Sequence, residues 1–281
     1  MKKLAEIRMR DPFVVPCRAE GRYYLFGSVW HGVAPGFYYY IGTDLENWDG
    51  PYPAFLPPAD FWGPDFFWAP ECHEYRGRHY LFGTCGVKAT DFRGTQVFRS
   101  TTASPAGPYE PLSEGPVTPR KWKALDGTLW VEDHQPWLVF CHEWVQAGDG
   151  TICAMRLSDD LAHAVGEPVE LMRASTAPWA TEYVDPKLRG WVTDGPFLYR
   201  TAAGQLRMLW SSMRDRIYTM GAMVSDSGRV LGPWRHEPTP IYTHDGGHGM
   251  WFRDFDGQAY YILHTPNAGW QNEHPILIRN S

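Results

Sequence analysis

A short pattern of one polar head followed by apolar residues recurs five times along the chain. In the first copy Asp11 opens an apolar run, Gly21 marks a turn, and an aromatic-rich run ends at Ser28. Apolar runs divided by a glycine turn predict β-hairpins. The heads of the other four copies are Ala69-Pro70-Glu71, Asp126-Gly127, Asp194-Gly195-Pro196 and His248-Gly249.

The spacing of these heads indicates the architecture. Successive heads lie 54 to 68 residues apart, and a closing phrase follows the first four units at Gly50, Gly107, Gly166 and Gly232. A repeat of this length, built of strands and turns, is typical of propeller blades. We therefore predict an all-β, five-bladed β-propeller with about four antiparallel strands per blade, formed by residues 1–281 as a single domain. Residues 4–9 are predicted to add an outer or closing strand.

A propeller brings the starts of its innermost strands together at one axis. The five heads place there Asp11, the corner at residues 69–71, Asp126, Asp194 and His248. The sequence therefore predicts an active site at the central axis that contains three carboxylates and a histidine. The histidine would bind a metal ion or a water, or be a hydrogen-bonded core residue.

Further candidates flank these heads. Trp68 ends an aromatic and proline-rich stretch at residues 61–68, predicted to be a rigid loop that either offers sugar-stacking surfaces or plugs the interface between two blades. Glu71 belongs to the second head, and His142, Glu143 and Trp144 follow one another as a predicted pocket wall. Residues 174–190 form the longest insertion and are predicted to lie over the rim.

The amino-acid composition argues against several classes of partner and site. A net charge of −6 and the lack of a Lys/Arg run argue against nucleic acid as a partner, and the 14 tryptophans suit a carbohydrate-handling β protein. Five cysteines without a close pair predict no disulfide framework or zinc ribbon. No apolar run suggests a membrane span or a signal peptide, so we expect a cytoplasmic protein without a membrane partner.

Three carboxylates in one aromatic-walled pocket favour glycoside hydrolysis. One group protonates the leaving oxygen and another activates water, while a third raises the pKa of the acid. A calcium site would also gather carboxylates and is the main alternative for this cluster.

The ordered heads resemble glycoside hydrolase family 43, the five-bladed inverting arabinofuranosidases and xylosidases. The residues that carry this resemblance are Arg10-Asp11-Pro12, Trp68-Ala69-Pro70-Glu71, Leu125-Asp126-Gly127, Thr193-Asp194-Gly195-Pro196 and Gly247-His248-Gly249. Some of these motifs also resemble those of the retaining fructan hydrolases of families 32 and 68, which share the propeller. Those enzymes carry an earlier Asn-Asp-Pro nucleophile, and this sequence has none before Arg10.

The resemblance implies a role for each head. Asp11 would be the general base, Asp126 the carboxylate that modulates and orients the acid, and Asp194 the general acid. His248 would be the axial histidine that binds calcium or a water, and Trp68 an aromatic beside the sugar. The family usually has Glu at the acid position, so Glu143, Glu71 or Glu182 are alternatives to Asp194 as the proton donor.

We therefore predict an inverting exo-glycoside hydrolase that releases a terminal sugar, α-L-arabinofuranose or β-D-xylose, from plant-type oligosaccharides. No cofactor is required in this prediction, although a structural Ca²⁺ or a water would lie near His248. The alternatives are a non-catalytic sugar-binding propeller and a glycosidase that acts on β-galactofuranosides or β-galactosides. The oligomeric state is left open.

Overall fold

Five antiparallel sheets form the blades of a propeller in the computed structural model, which describes residues 1–280. In the part of the chain described, four blades have four strands and the fifth has three. Each blade follows the chain order of its strands, so consecutive strands are hydrogen-bonded neighbours. The predicted five-bladed all-β architecture is confirmed.

The strands divide among the blades as follows. Blade 1 contains β1 (Arg10–Cys17), β2 (Arg22–Ser28), β3 (Phe37–Gly42) and β4 (Asp49–Phe55). Blade 2 contains β5 (Asp65–Tyr75), β6 (Arg78–Val87), β7 (Phe92–Ser100) and β8 (Tyr109–Pro111). Blade 3 contains β9 (Ala124–Glu132), β10 (Gln135–His142), β11 (Thr151–Leu157) and β12 (Ala164–Arg173).

The second half of the chain continues this order. A two-stranded ribbon of β13 (Tyr183–Val184) and β14 (Arg189–Gly190) precedes blade 4. Blade 4 contains β15 (Asp194–Arg200), β16 (Leu206–Arg214), β17 (Ile217–Ser225) and β18 (Trp234–His236). Blade 5 contains β19 (Gly247–Arg253), β20 (Ala259–Thr265) and β21 (His274–Asn280). The helical turns are Leu4–Glu6, Lys88–Thr90 and Ala174–Thr176, which are 3₁₀, and α1 (Trp144–Ala147). No described helix is long and apolar enough to cross a membrane.

The ring closes where β1 packs against β19 and β20. The closing strand predicted for residues 4–9 is wrong, because Leu4–Glu6 form a 3₁₀ turn that contacts β21 instead. Lys2 forms an isolated bridge with Trp48 of blade 1, and the Met9 N–H donates to the Glu273 carbonyl at 3.2 Å. Side-chain packing and a few hydrogen bonds therefore join the first blade to the last.

Aromatic side chains fill the spaces between blades. Phe98 is fully buried, and its ring centroid lies 4.6 Å from that of Phe55 and 5.5 Å from that of Phe37. Phe61 and Phe67 from the aromatic stretch join the same cluster, whereas Trp68 faces the axis. Phe61 and Phe67 therefore plug the interface between the blades, whereas sugar stacking on Trp68 stays a prediction. The last residues of the stretch form the start of β5 rather than a loop.

The long insertion after blade 3 supports one wall of the axial cavity. Its Tyr183 lies edge-on to Trp144, with ring centroids 5.7 Å apart. The Trp191 N–H donates to the Gly148 carbonyl at 2.9 Å, directly after α1. These contacts fix the short helix that carries Trp144.

Candidate active site

Each innermost strand begins with the same β-bulge. The register of the inner strand breaks at an equivalent place in every blade, and blade 2 has a second break between Asp65 and Trp68. The first residue of the equivalent bulge has a φ between 46° and 56°. Residues other than glycine rarely adopt this left-handed backbone conformation, and those that do are concentrated at functional sites. These residues, called here the bulge tier, are Asp11, Ala69, Asp126, Gly195 and His248.

The residue before each bulge forms a second ring, called here the rim tier. Its members are Arg10, Trp68, Leu125, Asp194 and Gly247, each paired with a residue of the second strand of its blade. The five heads predicted from the sequence are therefore not all structurally equivalent, because two of their acidic residues lie outside the bulge position. Asp194 belongs to the rim tier, one residue before the bulge, and Glu71 follows its bulge by two residues. Asp11, Asp126 and His248 are buried, whereas Asp194 is partly exposed.

Hydrogen bonds between blades hold the bulge tier in place. At four of the five joints, a side chain on the second strand of one blade accepts the N–H of the next blade's bulge residue. These pairs are Ser28 Oγ with Ala69 (2.7 Å), Thr84 Oγ1 with Asp126 (3.0 Å), Ser211 Oγ with His248 (2.8 Å) and His264 Nδ1 with Asp11 (3.2 Å). At the remaining joint Cys141 occupies the acceptor position, and the Gly195 N–H donates to Asp126 Oδ2 at 3.1 Å.

Asp11 has the surroundings of a proton acceptor. Ser28 Oγ donates to its Oδ2 at 2.6 Å, and His248 Nδ1 lies 3.2 Å from its Oδ1. Burial alone would raise the pKa of Asp11, but His248 and then Arg10 outweigh it and lower the pKa below the ordinary value. The carboxyl group is therefore ionised near neutral pH.

Asp126 and Asp194 form a contrasting pair. Burial raises the pKa of Asp126 well above the ordinary value, and the charge of Asp194 raises it further. Tyr218 donates its hydroxyl hydrogen to Asp194 Oδ2 at 2.7 Å. Asp126 therefore retains a proton to higher pH than an ordinary aspartate does, and Asp194 is the more exposed of the two carboxyl groups.

These groups line one cavity of about 260 Å³ at the axis. Asp11, Asp126, Asp194, Trp68, Glu143, Trp144 and His248 were all predicted for this site, and all line it. Sequence reasoning missed Trp30, Leu125 and Arg10 as lining residues. The rim-tier register could have identified Leu125 and Arg10, because each directly precedes a bulge aspartate.

Comparison with known proteins identifies the family. Residues 4–279 match the model of glycosyl hydrolases family 43. The chain belongs to glycoside hydrolase family 43. A comparison with curated protein sequences gave no match.

Solved structures of family 43 and related hydrolases have the same fold. The endo-arabinase from Bacteroides thetaiotaomicron VPI-5482 is 40% identical, with a TM-score of 0.92 over 99% of this chain and 96% of that one. An endo-1,4-β-xylanase from the same organism is 22% identical, with a TM-score of 0.77 over 100% and 96%. The arabinanase from Cellvibrio cellulosa complexed with arabinohexaose is 20% identical, with a TM-score of 0.68 over 99% and 92%.

Two residues predicted for substrate binding lie outside the cavity of this family 43 protein. Glu71 Oε2 is 2.8 Å from His73 Nε2, because the bulge places it beyond the cavity floor on β5. His142 stacks on Trp122, with ring centroids 4.1 Å apart, and contacts Gln146. Successive side chains of a strand point to opposite faces, and the chain turns into α1 directly after Glu143. His142 is therefore directed away from its two neighbours.

The structure also separates the alternative proton donors. Glu143 lines the cavity, and its Oε2 accepts a 2.5 Å hydrogen bond from Arg93 Nε. Burial raises the pKa of Glu143, although Arg93 opposes this shift. Glu182 pairs with Arg189 and Glu71 with His73, both outside the cavity lining. Asp194 and Glu143 are thus the candidates that reach the cavity.

Asp126, Asp194 and His248 offer ligand atoms within 4.8 Å of one another. Calcium prefers six to eight oxygen ligands. This group supplies one imidazole nitrogen and two carboxyl groups, and the Gly195 N–H and the Tyr218 hydroxyl already donate to those carboxyl oxygens. Each carboxyl group thus has one oxygen engaged by a hydrogen-bond donor, and the three residues offer fewer oxygen ligands than calcium prefers, so by themselves they do not fit a calcium ion.

Proposed function

We propose that this family 43 hydrolase releases terminal α-L-arabinofuranose from arabino-oligosaccharides with inversion of configuration. One observation carries the proposal: an ionised carboxyl group, Asp11, and a proton-retaining pair, Asp126 and Asp194, face the same sugar-sized cavity. An arabinose-containing substrate is supported by the 40% identity to the structure of an endo-arabinase.

The reaction follows from the two tiers. Asp11 accepts a proton from a water molecule whose oxygen attacks the anomeric carbon. The bond from that carbon to the glycosidic oxygen breaks, and Asp194 donates its proton to the departing oxygen. Asp126, whose pKa is raised, retains the proton of the pair until it is donated. Its Oδ2 also accepts the Gly195 N–H, and this hydrogen bond positions the residue next to Asp194.

The remaining cavity residues bind the sugar. Trp68 and Trp144 offer aromatic surfaces for the apolar face of the ring, and Glu143 offers a carboxylate to its hydroxyl groups. Arg93 holds Glu143 through Nε and is itself held by Asp91 at 2.6 Å. This ion-paired arrangement favours Glu143 as a binding group and Asp194 as the acid.

Action at a chain end is supported by a contact between two loops, one of which carries the cavity residue Trp30. His31 from the β2–β3 connection lies against Trp270 from the β20–β21 connection, with ring centroids 4.9 Å apart. This contact joins the walls of blades 1 and 5. A substrate chain that left the cavity past Trp30, the neighbour of His31, would meet this contact.

An internal cutting mode is the second candidate, because the 40% identical relative is described as an endo-arabinase. Early products from linear arabinan distinguish the modes. Release of arabinose alone supports the proposal, whereas a ladder of oligosaccharides supports internal cleavage. Nuclear magnetic resonance of the first-formed anomer tests inversion.

The sugar and the acid are tested together on aryl glycosides of arabinofuranose, xylose, galactofuranose and galactose. We expect the arabinofuranoside to be hydrolysed fastest. Asp194→Asn should lower kcat by about 10²- to 10⁴-fold on substrates with poor leaving groups. It should lower kcat far less on 2,4-dinitrophenyl glycosides, whose departure needs no protonation. A wild-type protein that binds these sugars without hydrolysing any would instead be a sugar-binding propeller.

A further inference from the structure

Another pocket lies between blades 4 and 5 at the far ends of their inner strands, and it is called here the rear pocket. Its walls include Tyr199 near the end of β15, Trp251 and Arg253 at the end of β19, and the turns that follow both strands. Asp194 and His248, near the beginnings of the same strands, line the catalytic cavity. A strand rises about 3.3 Å per residue, so Asp194 and Tyr199 lie roughly 16 Å apart. The rear pocket is therefore separate from the catalytic cavity.

Positive charge is concentrated in the rear pocket. Arg207 and Arg253 are the charged residues among the described residues that line it, although the whole chain carries a net charge of −6. Arg253 Nη1 donates to the neutral carbonyl oxygen of Gly257 at 2.7 Å, and within residues 1–280 this guanidinium forms no ion pair. Arg207 is paired with Glu237, which does not line the pocket. A local excess of cations on an acidic protein favours the binding of an anion at that place.

Aromatic rings hold the two guanidinium groups in fixed positions. The Arg253 guanidinium lies 5.2 Å from the Trp251 ring, which stacks on Tyr199 at a centroid distance of 5.1 Å and an interplanar angle of 16°. The Arg207 guanidinium lies 6.0 Å from the Tyr199 ring, so at most about 16 Å separates the two cations. Tyr199 is buried, and its hydroxyl oxygen lies 3.1 Å from that of Tyr261. Cations held against aromatic rings in this way lose little freedom when an anion binds.

The remaining lining offers partners for hydroxyl groups. Gln258 Nε2 donates to the carbonyl oxygens of Ala259 and Asn280 at 2.9 and 3.1 Å, so the amide oxygen of Gln258 is the atom that can accept a hydroxyl hydrogen. Thr201 Oγ1 accepts the Gln205 N–H at 3.2 Å, and its own hydrogen can be donated. The pocket has a volume of about 480 Å³, compared with 260 Å³ for the catalytic cavity. A ligand that combines carboxylates with hydroxyl groups and is longer than one sugar matches this lining.

We propose that the rear pocket binds a segment of an acidic polysaccharide, in which the carboxylates of two uronic acid residues pair with Arg207 and Arg253. Arginine binds carboxylates through paired hydrogen bonds. Two separate cations favour a chain with repeated carboxylates over a single small anion, and the hydroxyl partners favour a sugar. Because the rear pocket lies away from the catalytic cavity, an enzyme held there keeps its cavity open to substrate. The inference does not depend on the proposed function, because binding at the rear pocket requires no hydrolysis.

Isothermal titration calorimetry with α-1,4-linked tri-D-galacturonate tests the proposal at about 0.15 M salt, where attraction between exposed charges is screened. The wild type should bind this trisaccharide, and its methyl ester, which has no charged carboxylate, should bind at least about 10-fold more weakly. Arg253→Gln should weaken binding of the trisaccharide by a similar factor. The matched control is Arg279→Gln, because Arg279 is exposed and precedes Asn280 in β21, so it points to the opposite face of the sheet. That variant should leave Kd unchanged.

Equal weakening in Arg253→Gln and Arg279→Gln would show non-specific charge attraction and overturn the proposal. It is also overturned if the methyl ester binds as tightly as the acid, if inorganic phosphate binds as tightly as the trisaccharide, or if the wild type does not bind the trisaccharide. Ala202→Trp repeats the test if Arg253→Gln does not fold, as judged by circular dichroism, because Ala202 is exposed and lines the rear pocket. Binding is measured without turnover, so inactivity on arabinosides, which would contradict the proposed function, leaves this test intact.

Discussion

The Gly195 N–H donates a hydrogen bond to Asp126 Oδ2 at the one joint between blades where the acceptor position holds a thiol. The other four joints use a hydroxyl or an imidazole for this contact. Asp126 therefore closes the ring of inter-blade hydrogen bonds, and in the proposed mechanism it also retains the proton that Asp194 donates. The bond from Gly195 also moderates the high pKa of Asp126.

Cys141→Ser tests this double function. A serine hydroxyl at position 141 would accept the Gly195 N–H, as Ser28, Thr84 and Ser211 do for the bulge residues they contact. Asp126 would lose a hydrogen bond that lowers its pKa, so its pKa would rise. The shared proton would then be lost at higher pH, and the alkaline limb of the kcat/KM profile should move upward. Cys141→Ala provides no acceptor and is the control, so identical profiles for the two variants would contradict this account.

Arg10→Gln should move the acidic limb of the pH profile of kcat/KM. The Arg10 Nε lies 3.8 Å from Asp11 Oδ1, and its charge helps to lower the pKa of Asp11. Without this charge the pKa of Asp11 rises, the base is protonated at higher pH, and the acidic limb of kcat/KM shifts upward. Arg8→Gln removes an exposed guanidinium nearby and should leave the limb in place. An unchanged acidic limb in Arg10→Gln would show that another group is the base.

Phe98→Ala should destabilise the junction of blades 1 and 2. The ring is fully buried and contacts Phe37, Phe55 and Phe61, so its removal leaves a cavity that rigid neighbouring strands cannot fill. We expect the free energy of unfolding to fall by about 3–5 kcal/mol, measured by urea denaturation. Val131→Ala, at a position that is 41% exposed, should change it by less than about 0.5 kcal/mol. Similar losses in both variants would contradict the packing argument.

Chelation should leave the activity unchanged. The carboxyl oxygens of Asp126 and Asp194 already accept hydrogen bonds, and His248 adds a nitrogen where calcium prefers oxygen. Dialysis against EDTA, followed by assays with and without added Ca²⁺, measures the effect. A reversible loss of activity that Ca²⁺ restores would show that the axial residues hold a metal ion.

The five-bladed fold was predictable because the repeat is long, regular and marked by glycine turns. Asp11, Asp126 and His248 were predictable for the same reason, since each opens its strand at the same bulge position. The sequence does not reveal which residue of a head occupies the bulge, because alanine and glycine fill that position in two blades. For this reason the sequence does not show that Asp194 precedes its bulge or that Glu71 follows its own.

Contacts between distant segments explain the other differences. The sequence predicts one pocket wall from His142, Glu143 and Trp144, but the stacking of His142 on Trp122 depends on where the chain turns into α1. The position of Trp30 depends on the β2–β3 connection meeting the start of β5. Neither relationship has a local signature, since each is set by the packing of neighbouring blades.

Because blades 1 and 5 meet beside the axial cavity, the cavity can form only after blade 5 has been synthesised. His264 Nδ1 accepts the backbone N–H of Asp11, and the neighbouring Arg10 forms an ion pair with Glu273 at 3.2 Å. His264 and Glu273 both belong to blade 5. A nascent polypeptide can therefore hold Asp11 in this position only after blade 5 has left the ribosome, because His264 is made 253 residues after Asp11. Chains that stop before blade 5 lack an assembled axial cavity.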